Sequence, residues 1–407
     1  MSQRETILVW VSGRDHPGIT AGILDIIAAV GAVVQDVEQI SIRNRLTLGF
    51  AIDVPAGRDL LKDLLLFGWD HDLQVDFEVA EDSPSPAELG HVVTVLGPVL
   101  SADLLRQAAV AVADAGGNIH RILRLSRYPV FSYELVVRGA DDHKLRANLL
   151  STATRNAGLD VAVQNEGLGR RAKRLVVLDV DSTLIQDEVI DLLGEEAGVG
   201  VACHALTVRA MRGELDFEQA LRQRVALLEG ADEAIVDRAR AKLRLTPGAR
   251  TFVRTLKRLG YRTAIVSGGF TAFTDDLREK LGLDHAYANE LEIVDGVLTG
   301  RVVGPVVDRA RKEQLLRAVA ELEDIPLEQT VAVGDGANDL DMLSIAGLGI
   351  AFNAKPVVED AADTAVTVPY LDAILFVLGV RRLDIEAVDA EENGGEPMEY
   401  PSVDPSG

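Results

Sequence analysis

The chain has 407 residues, 47% hydrophobic and 26% charged, which is folded globular material with length for two to three domains. Forty-one basic against sixty-four acidic residues leave a net charge of −23, a surface that repels phosphate backbones and anionic lipid and so excludes nucleic-acid and membrane-surface binding. The single cysteine, Cys203, excludes an intramolecular disulfide and a cysteine-cluster metal site; with no apolar signal segment at the start and too short an apolar stretch at 374–380 to span a bilayer, the expected location is the cytoplasm.

Residues 7–12 (ILVWVS) predict a buried strand, and Asp15-His16-Pro17-Gly18 a turn into a helix on which Ile19, Ile23, Ile26, Ile27 and Val30 recur at helical spacing. Residues 33–42 and 47–54 predict strands around a turn at Arg43-Asn44-Arg45, 60–67 a helix and 74–79 a strand. The order is βαββαβ, a first domain over 1–80, and the Ser-Pro-Ser-Pro string among acidic residues at 80–90 predicts a linker. The order recurs over 91–165: strand 91–96, helix 104–115, strands 118–128 and 131–137, helix 143–157 and strand 159–164, a diverged duplication. Residues 166–173 predict a second linker. From Arg174 to 385 strands and helices alternate as in a parallel sheet with crossovers, and 386–407, with seven acidic residues, three prolines and no Lys or Arg, predict a disordered acidic tail.

The βαββαβ order with Arg14-Asp15-His16-Pro17-Gly18-Ile19 at the first strand-to-helix turn resembles an ACT domain, an α+β ferredoxin-like module that binds amino acids. The second copy keeps Gly97-Pro98 at that turn without the rest of the string. The resemblance implies two regulatory modules, an amino-acid effector near Asp15 and Gly18, and a homodimer formed through the ACT domains. Read as residues alone, Asp15 as a helix cap and Gly18 as relief for a tight turn explain the same string.

The chemistry-bearing residues lie further on. Residues 175–180 (LVVLDV) predict a buried strand that ends in Asp179-Val180-Asp181-Ser182-Thr183, and carboxylates at such an edge are costly without ionic partners. A second buried strand, 262–266, delivers Ser267-Gly268-Gly269, whose glycines let backbone N–H groups approach an anion. Lys312 opens a predicted helix 312–322, after a hairpin signal at Asp295-Gly296. A strand at 330–333 ends in Gly334-Asp335-Gly336-Ala337-Asn338-Asp339. In order and spacing these four resemble the motif set of the haloacid dehalogenase-like hydrolases. That resemblance implies a Rossmann-like α/β parallel sheet with a helical cap, here at about 185–245, on which Leu221, Val225 and Leu228 recur. It also implies a Mg²⁺-dependent phosphoric monoester hydrolase: Asp179 the nucleophile, Asp181 the general acid and base, Asp179, Asp335 and the Asp181 carbonyl the metal ligands. Lys312, Ser267 and the Gly268 amide would hold the phosphoryl oxygens, Asn338 would sit near them, and Asp339 would orient Lys312.

Within that superfamily, residues 179–188 (DVDSTLIQDE) and 211–224 (MRGELDFEQALRQR) resemble the phosphoserine phosphatases. The resemblance implies hydrolysis of O-phospho-L-serine as the last step of L-serine biosynthesis, with Glu188 on the substrate ammonium, Arg224 on its carboxylate and Met211 and Phe217 closing the pocket. Two other readings stay open: a phosphatase or phosphotransferase for another small phosphorylated amino acid, and an amino-acid-binding regulatory protein with an inert phosphatase half.

Overall fold

The computed structural model describes residues 4–55, 60–79, 90–211 and 214–392, apart from the side chains at 4, 211 and 388–392, and the chain divides into two compact units, residues 1–87 and 88–407. In the first unit β1 (Arg4–Arg14), α1 (Ile19–Ala29), β2 (Val33–Ile42), β3 (Arg45–Pro55), α2 (Leu60–Asp70) and β4 (Leu73–Val79) follow the expected order. The strands form an antiparallel sheet in the order β2-β3-β1-β4. Alternate residues of β3, Leu46 to Val54, are buried against Ile19, Ile23 and Ile27 of α1, the period-two pattern of a sheet with one face on a core. Gly18 takes φ 98° where α1 starts, a conformation that favours glycine. Asp15 is not the cap: no side chain caps α1, and the Asp15 N–H donates to Asn44 O at 2.9 Å. Strand β2 is exposed along its length, with Val37, Ile40 and Ile42 at least half exposed. The linker expected at 80–90 lies, but for Gly90, outside the described residues.

The second unit opens with β5 (His91–Gly97), α3 (Ala102–Asp114), β6 (Asn118–Ser126), β7 (Phe131–Arg138), α4 (Asp142–Arg155) and β8 (Asp160–Asn165), the same order again. The stretch expected as a second linker instead carries α5 (Leu168–Arg171), because Arg170 pairs with Glu134 at 2.5 Å and Lys173 is buried. There follow β9 (Leu175–Leu178), α6 (Val189–Glu196), α7 (Gly200–Met211), α8 (Phe217–Ala226), α9 (Ala234–Ala241), α10 (Ala249–Arg258), β10 (Arg262–Phe270), α11 (Thr271–Leu281), β11 (His285–Val294) and β12 (Val297–Val303). The described residues continue with α12 (Arg309–Leu322), β13 (Thr330–Gly334), α13 (Leu340–Ile345), β14 (Gly349–Phe352), α14 (Pro356–Glu359), β15 (Thr364–Val366), α15 (Ile374–Val377) and α16 (Arg382–Glu392). Helix α16 corrects the expected disordered tail from Glu386 to Glu392: Arg382, paired with Asp372 at 2.7 Å, and Ile385 are both buried and anchor it.

One eleven-stranded sheet, β12-β11-β10-β9-β13-β14-β15-β8-β5-β7-β6, runs through the unit. Strands β11, β10, β9, β13, β14 and β15 are parallel, and all four residues of β9 are fully buried, as a central parallel strand requires. The antiparallel pair Thr364↔Ala162 joins β15 to β8, so the second βαββαβ module shares its sheet with the parallel one. Strand β9 lies between β10 and β13, so the order reverses at its C-terminal end, where open α/β sheets bind ligands. The insert after β9 is closed at its base by an Ile185↔Leu245 bridge and by Thr246 Oγ1, which donates to Thr183 O at 2.7 Å.

Candidate active site

The site grows from the end of β9. Asp179 is 4% exposed; its Oδ1 accepts the Val180 N–H at 2.7 Å and pairs with Lys312 Nζ at 2.7 Å. The chain then makes a tight turn in which Ser182 takes the left-handed φ 56°. Asp181 accepts the Val189 N–H at 2.8 Å and the Ser267 hydroxyl at 3.1 Å. Ser267 Oγ in turn accepts the Gly269 N–H at 2.8 Å. The paired glycines of that loop allow close approach: a Cβ on Gly268 would lie 2.8 Å from the Phe217 ring of the insert, and one on Gly269 3.1 Å from Asp181 Oδ2.

Helix α12 begins three residues before the expected start, at Arg309, because Asp308 caps it by accepting the Arg311 N–H at 2.8 Å. Lys312, with no exposed surface, donates at 2.7 Å to Asp339 as well as to Asp179. Strand β13 delivers Asp335, whose Oδ1 accepts the Thr183 hydroxyl at 3.3 Å, and Asp339 Oδ2 accepts the Gly336 N–H at 3.0 Å. The charges explain one another. Burial disfavours the Lys312 ammonium, but Asp179 and Asp339 outweigh that and hold it upward. Burial, with Asp339, Asp335 and Asp181 nearby, pushes Asp179 up against the pull of Lys312. Burial and then the Asp339 and Glu188 charges push Asp335 up to about 6; burial and Glu188 push Asp181 up to about 7.

That excess of negative charge fits a divalent cation. Carboxylate oxygens of Asp179, Asp335 and Asp339 lie within 4.8 Å of one another, a hard-oxygen set. Asp339 engages one oxygen with Lys312 and the other with Gly336, the arrangement expected of a residue that orients the lysine.

A cavity of about 860 Å³ brings most of the expected residues together: Asp179, Asp181, Gly268, Asp335 and Asn338 at the strand ends, and Glu188, Phe217 and Arg224 from the insert. Ser267, Lys312 and Asp339 sit fully buried behind its lining. Glu188 accepts the Ser182 hydroxyl at 3.0 Å, and Arg224 Nη1 reaches Thr207 Oγ1 at 3.5 Å. The Met211 side chain lies outside the described residues, and Asp15 and Gly18 belong to the first unit. The lining residues that were missed include Thr207, Arg309 and Lys355. Lys355 carried a legible signal, a basic residue just past a buried strand and before a proline; its N–H donates to Asp335 O at 3.3 Å. Thr207 is one polar residue on a cap helix and carried none.

Residues 176–344 match the haloacid dehalogenase-like hydrolase family, and 5–78 and 90–164 each match an ACT domain. Fold and site therefore define a haloacid dehalogenase-like hydrolase preceded by two ACT domains. A phosphoserine phosphatase of Streptomyces coelicolor is 52% identical over 96% of this chain and 97% of its own length. Phosphoserine phosphatase SerB2 of Mycobacterium tuberculosis is 46% identical over 99% of this chain and all of its own. A solved haloacid dehalogenase family hydrolase from Salmonella enterica serovar Typhi superposes with a TM-score of 0.62 at 28% identity, covering 70% of this chain and 98% of that one. The chain belongs to the phosphoserine phosphatase family.

Proposed function

We propose that the protein hydrolyses O-phospho-L-serine to L-serine and phosphate through an aspartyl-phosphate on Asp179. The observation that carries this is a single cavity lined by Asp179, by Asp181, and by an acid and a base of the insert, Glu188 and Arg224, the pair a zwitterionic amino acid needs. Asp179 attacks phosphorus as the bond to the serine oxygen breaks, and the Asp181 carboxyl gives its proton to that leaving oxygen. The Asp181 carboxylate then takes a proton from the water that attacks phosphorus, and Asp179 departs restored. Lys312, the Ser267 hydroxyl and the Gly268 N–H stabilise the charge on the phosphoryl oxygens, with Asn338 beside them. Glu188 holds the ammonium and Arg224 the carboxylate, while Phe217 closes over the small side chain. Mg²⁺ held by Asp179, Asp335 and the Asp181 carbonyl supplies, when bound, the positive charge that lets an anionic nucleophile meet an anionic phosphoryl group.

The same reading makes residues 1–80 and 91–165 regulatory modules, 174–385 the phosphatase with its cap, and L-serine or a related amino acid an effector acting near Asp15 and Gly18. It also makes the protein a cytoplasmic homodimer; the exposed apolar residues of β2, an edge strand, support pairing through the first module. None of the described helices is long and apolar enough to cross a membrane. The test is kcat/KM with Mg²⁺ for O-phospho-L-serine beside O-phospho-L-threonine. The reading expects serine to be preferred about tenfold or more, since an added methyl must fit a closed pocket; equal values assign another phosphorylated amino acid. L-Serine added to the full chain is expected to shift rate and thermal midpoint, and no shift in either removes the effector role.

A further inference from the structure

We infer that Asn289, outside the cavity and absent from the sequence motifs, is a positioning residue that holds the phosphate-binding loop in register with the lysine helix. The inference rests on the reading of Ser267, Gly268 and Lys312 as phosphate-binding groups. Strands β10 and β11 pair in parallel from Ala264↔His285 to Val266↔Tyr287, lose register, and meet again at Phe270↔Asn289. Ser267, Gly268 and Gly269 thus stand against one residue, Ala288, and bulge away from the ladder. A bulge of this kind takes backbone groups away from their ladder partners, and a buried one must find another. The Asn289 side chain provides it: Nδ2 donates to Gly268 O at 2.8 Å. Its other end, Oδ1, accepts the Val307 N–H at 2.8 Å. Val307 immediately precedes Asp308, the cap of the helix that carries Lys312.

One amide group therefore spans the two segments whose donors must converge on a single phosphoryl group. Asn289 is 1% exposed, and it presents its amide NH2 to the carbonyl of one segment and its amide oxygen to the N–H of the other. Leu would leave both backbone groups unpaired, and Asp would keep the acceptor for Val307 while losing the donor to Gly268. The Gly268 amide and Lys312 would then no longer share a fixed separation, and a displacement of about 1 Å is worth about 100-fold in rate.

The experiment compares the parent with N289D and N289S in the full chain, measuring kcat and KM for O-phospho-L-serine and for p-nitrophenyl phosphate, the binding of inorganic phosphate by calorimetry, and the thermal midpoint. The inference expects N289D to stay folded, to lose about 100-fold in kcat on both substrates, and to bind phosphate at least tenfold more weakly. Loss of activity only in proportion to the unfolded fraction, with phosphate affinity unchanged, would make Asn289 a fold residue and overturn the inference. If N289D does not fold, N289S decides by the same measurements, and failure of both to fold also overturns it. A parent inactive on phosphoserine sinks the functional reading instead, and the phosphate-binding comparison still tests Asn289.

Discussion

Lys312 shows what a fully buried charge requires: two carboxylates at 2.7 Å, one on Asp179 and one on Asp339. An ammonium in that position is tolerable only with such partners, which is why Lys312 reads as machinery rather than as a solvated helix charge. Under the proposed function it also reconciles an anionic substrate with a chain of net charge −23, because the local cation, not the global sum, sets the field at the site. Arg224 is placed differently: part-buried on the insert, it makes contacts of only 3.4 and 3.5 Å, to Ala220 O and Thr207, which leaves its fork available for a carboxylate. Replacing it by Ala removes a charge-assisted pair, so kcat/KM for phosphoserine is expected to fall about 100-fold while an aryl phosphate is spared. Steady-state kinetics on both substrates checks this, and equal losses would show that Arg224 does not read the carboxylate.

Among elements, those made by local pattern were legible and those made by distant contact were not. The apolar runs of β9, β10 and β13 and their Asp, Ser-Gly-Gly and Gly-Asp endings announced a sheet with its chemistry at one edge. Leu221 and Val225 announced the cap helix α8, while Leu228, equally buried, lies two residues past its end. Asn289 gave no signal because its partners, Gly268 and Val307, come from separate segments. The β15–β8 junction was hidden likewise, since its one pairing joins residues about two hundred positions apart. At that junction Asp160 accepts the Thr367 N–H and hydroxyl, both at 2.8 Å, and burial pushes its carboxyl up to about 6, with Glu359 adding to the rise. A carboxyl raised above its unfolded value of 3.8 costs the native state nothing below about pH 4 and progressively more as pH rises through 6. The stability of the parent relative to Asp160→Asn is therefore expected to fall by about 3 kcal/mol between pH 4 and pH 7, read from urea unfolding at each pH. A flat difference would mean that Asp160 titrates alike folded and unfolded.

For the whole molecule, the second ACT domain and the phosphatase share more than a sheet. Arg382 of α16 donates to Tyr128 O of that domain at 2.9 Å and pairs with Asp372 at 2.7 Å. Next to Asp372, the Leu371 N–H donates to Pro247 O at 2.8 Å, on the returning stem of the cap, and Thr246 beside it bonds back to Thr183 and Leu184 in the turn after β9. Arg382→Met would leave Asp372 buried and unpaired, so the unfolding free energy in urea is expected to drop by about 3–5 kcal/mol, with part recovered in the double variant Arg382→Met/Asp372→Asn. An unchanged midpoint would show that the pair does not hold these parts together. The central claim, chemistry through a covalent Asp179, is tested most directly by phosphate release from O-phospho-L-serine with Mg²⁺, the parent run beside Asp179→Asn. The parent is expected to release phosphate and the variant to fall by many orders of magnitude, since amide nitrogen and oxygen cannot replace the carboxylate nucleophile; equal rates from the two would contradict it.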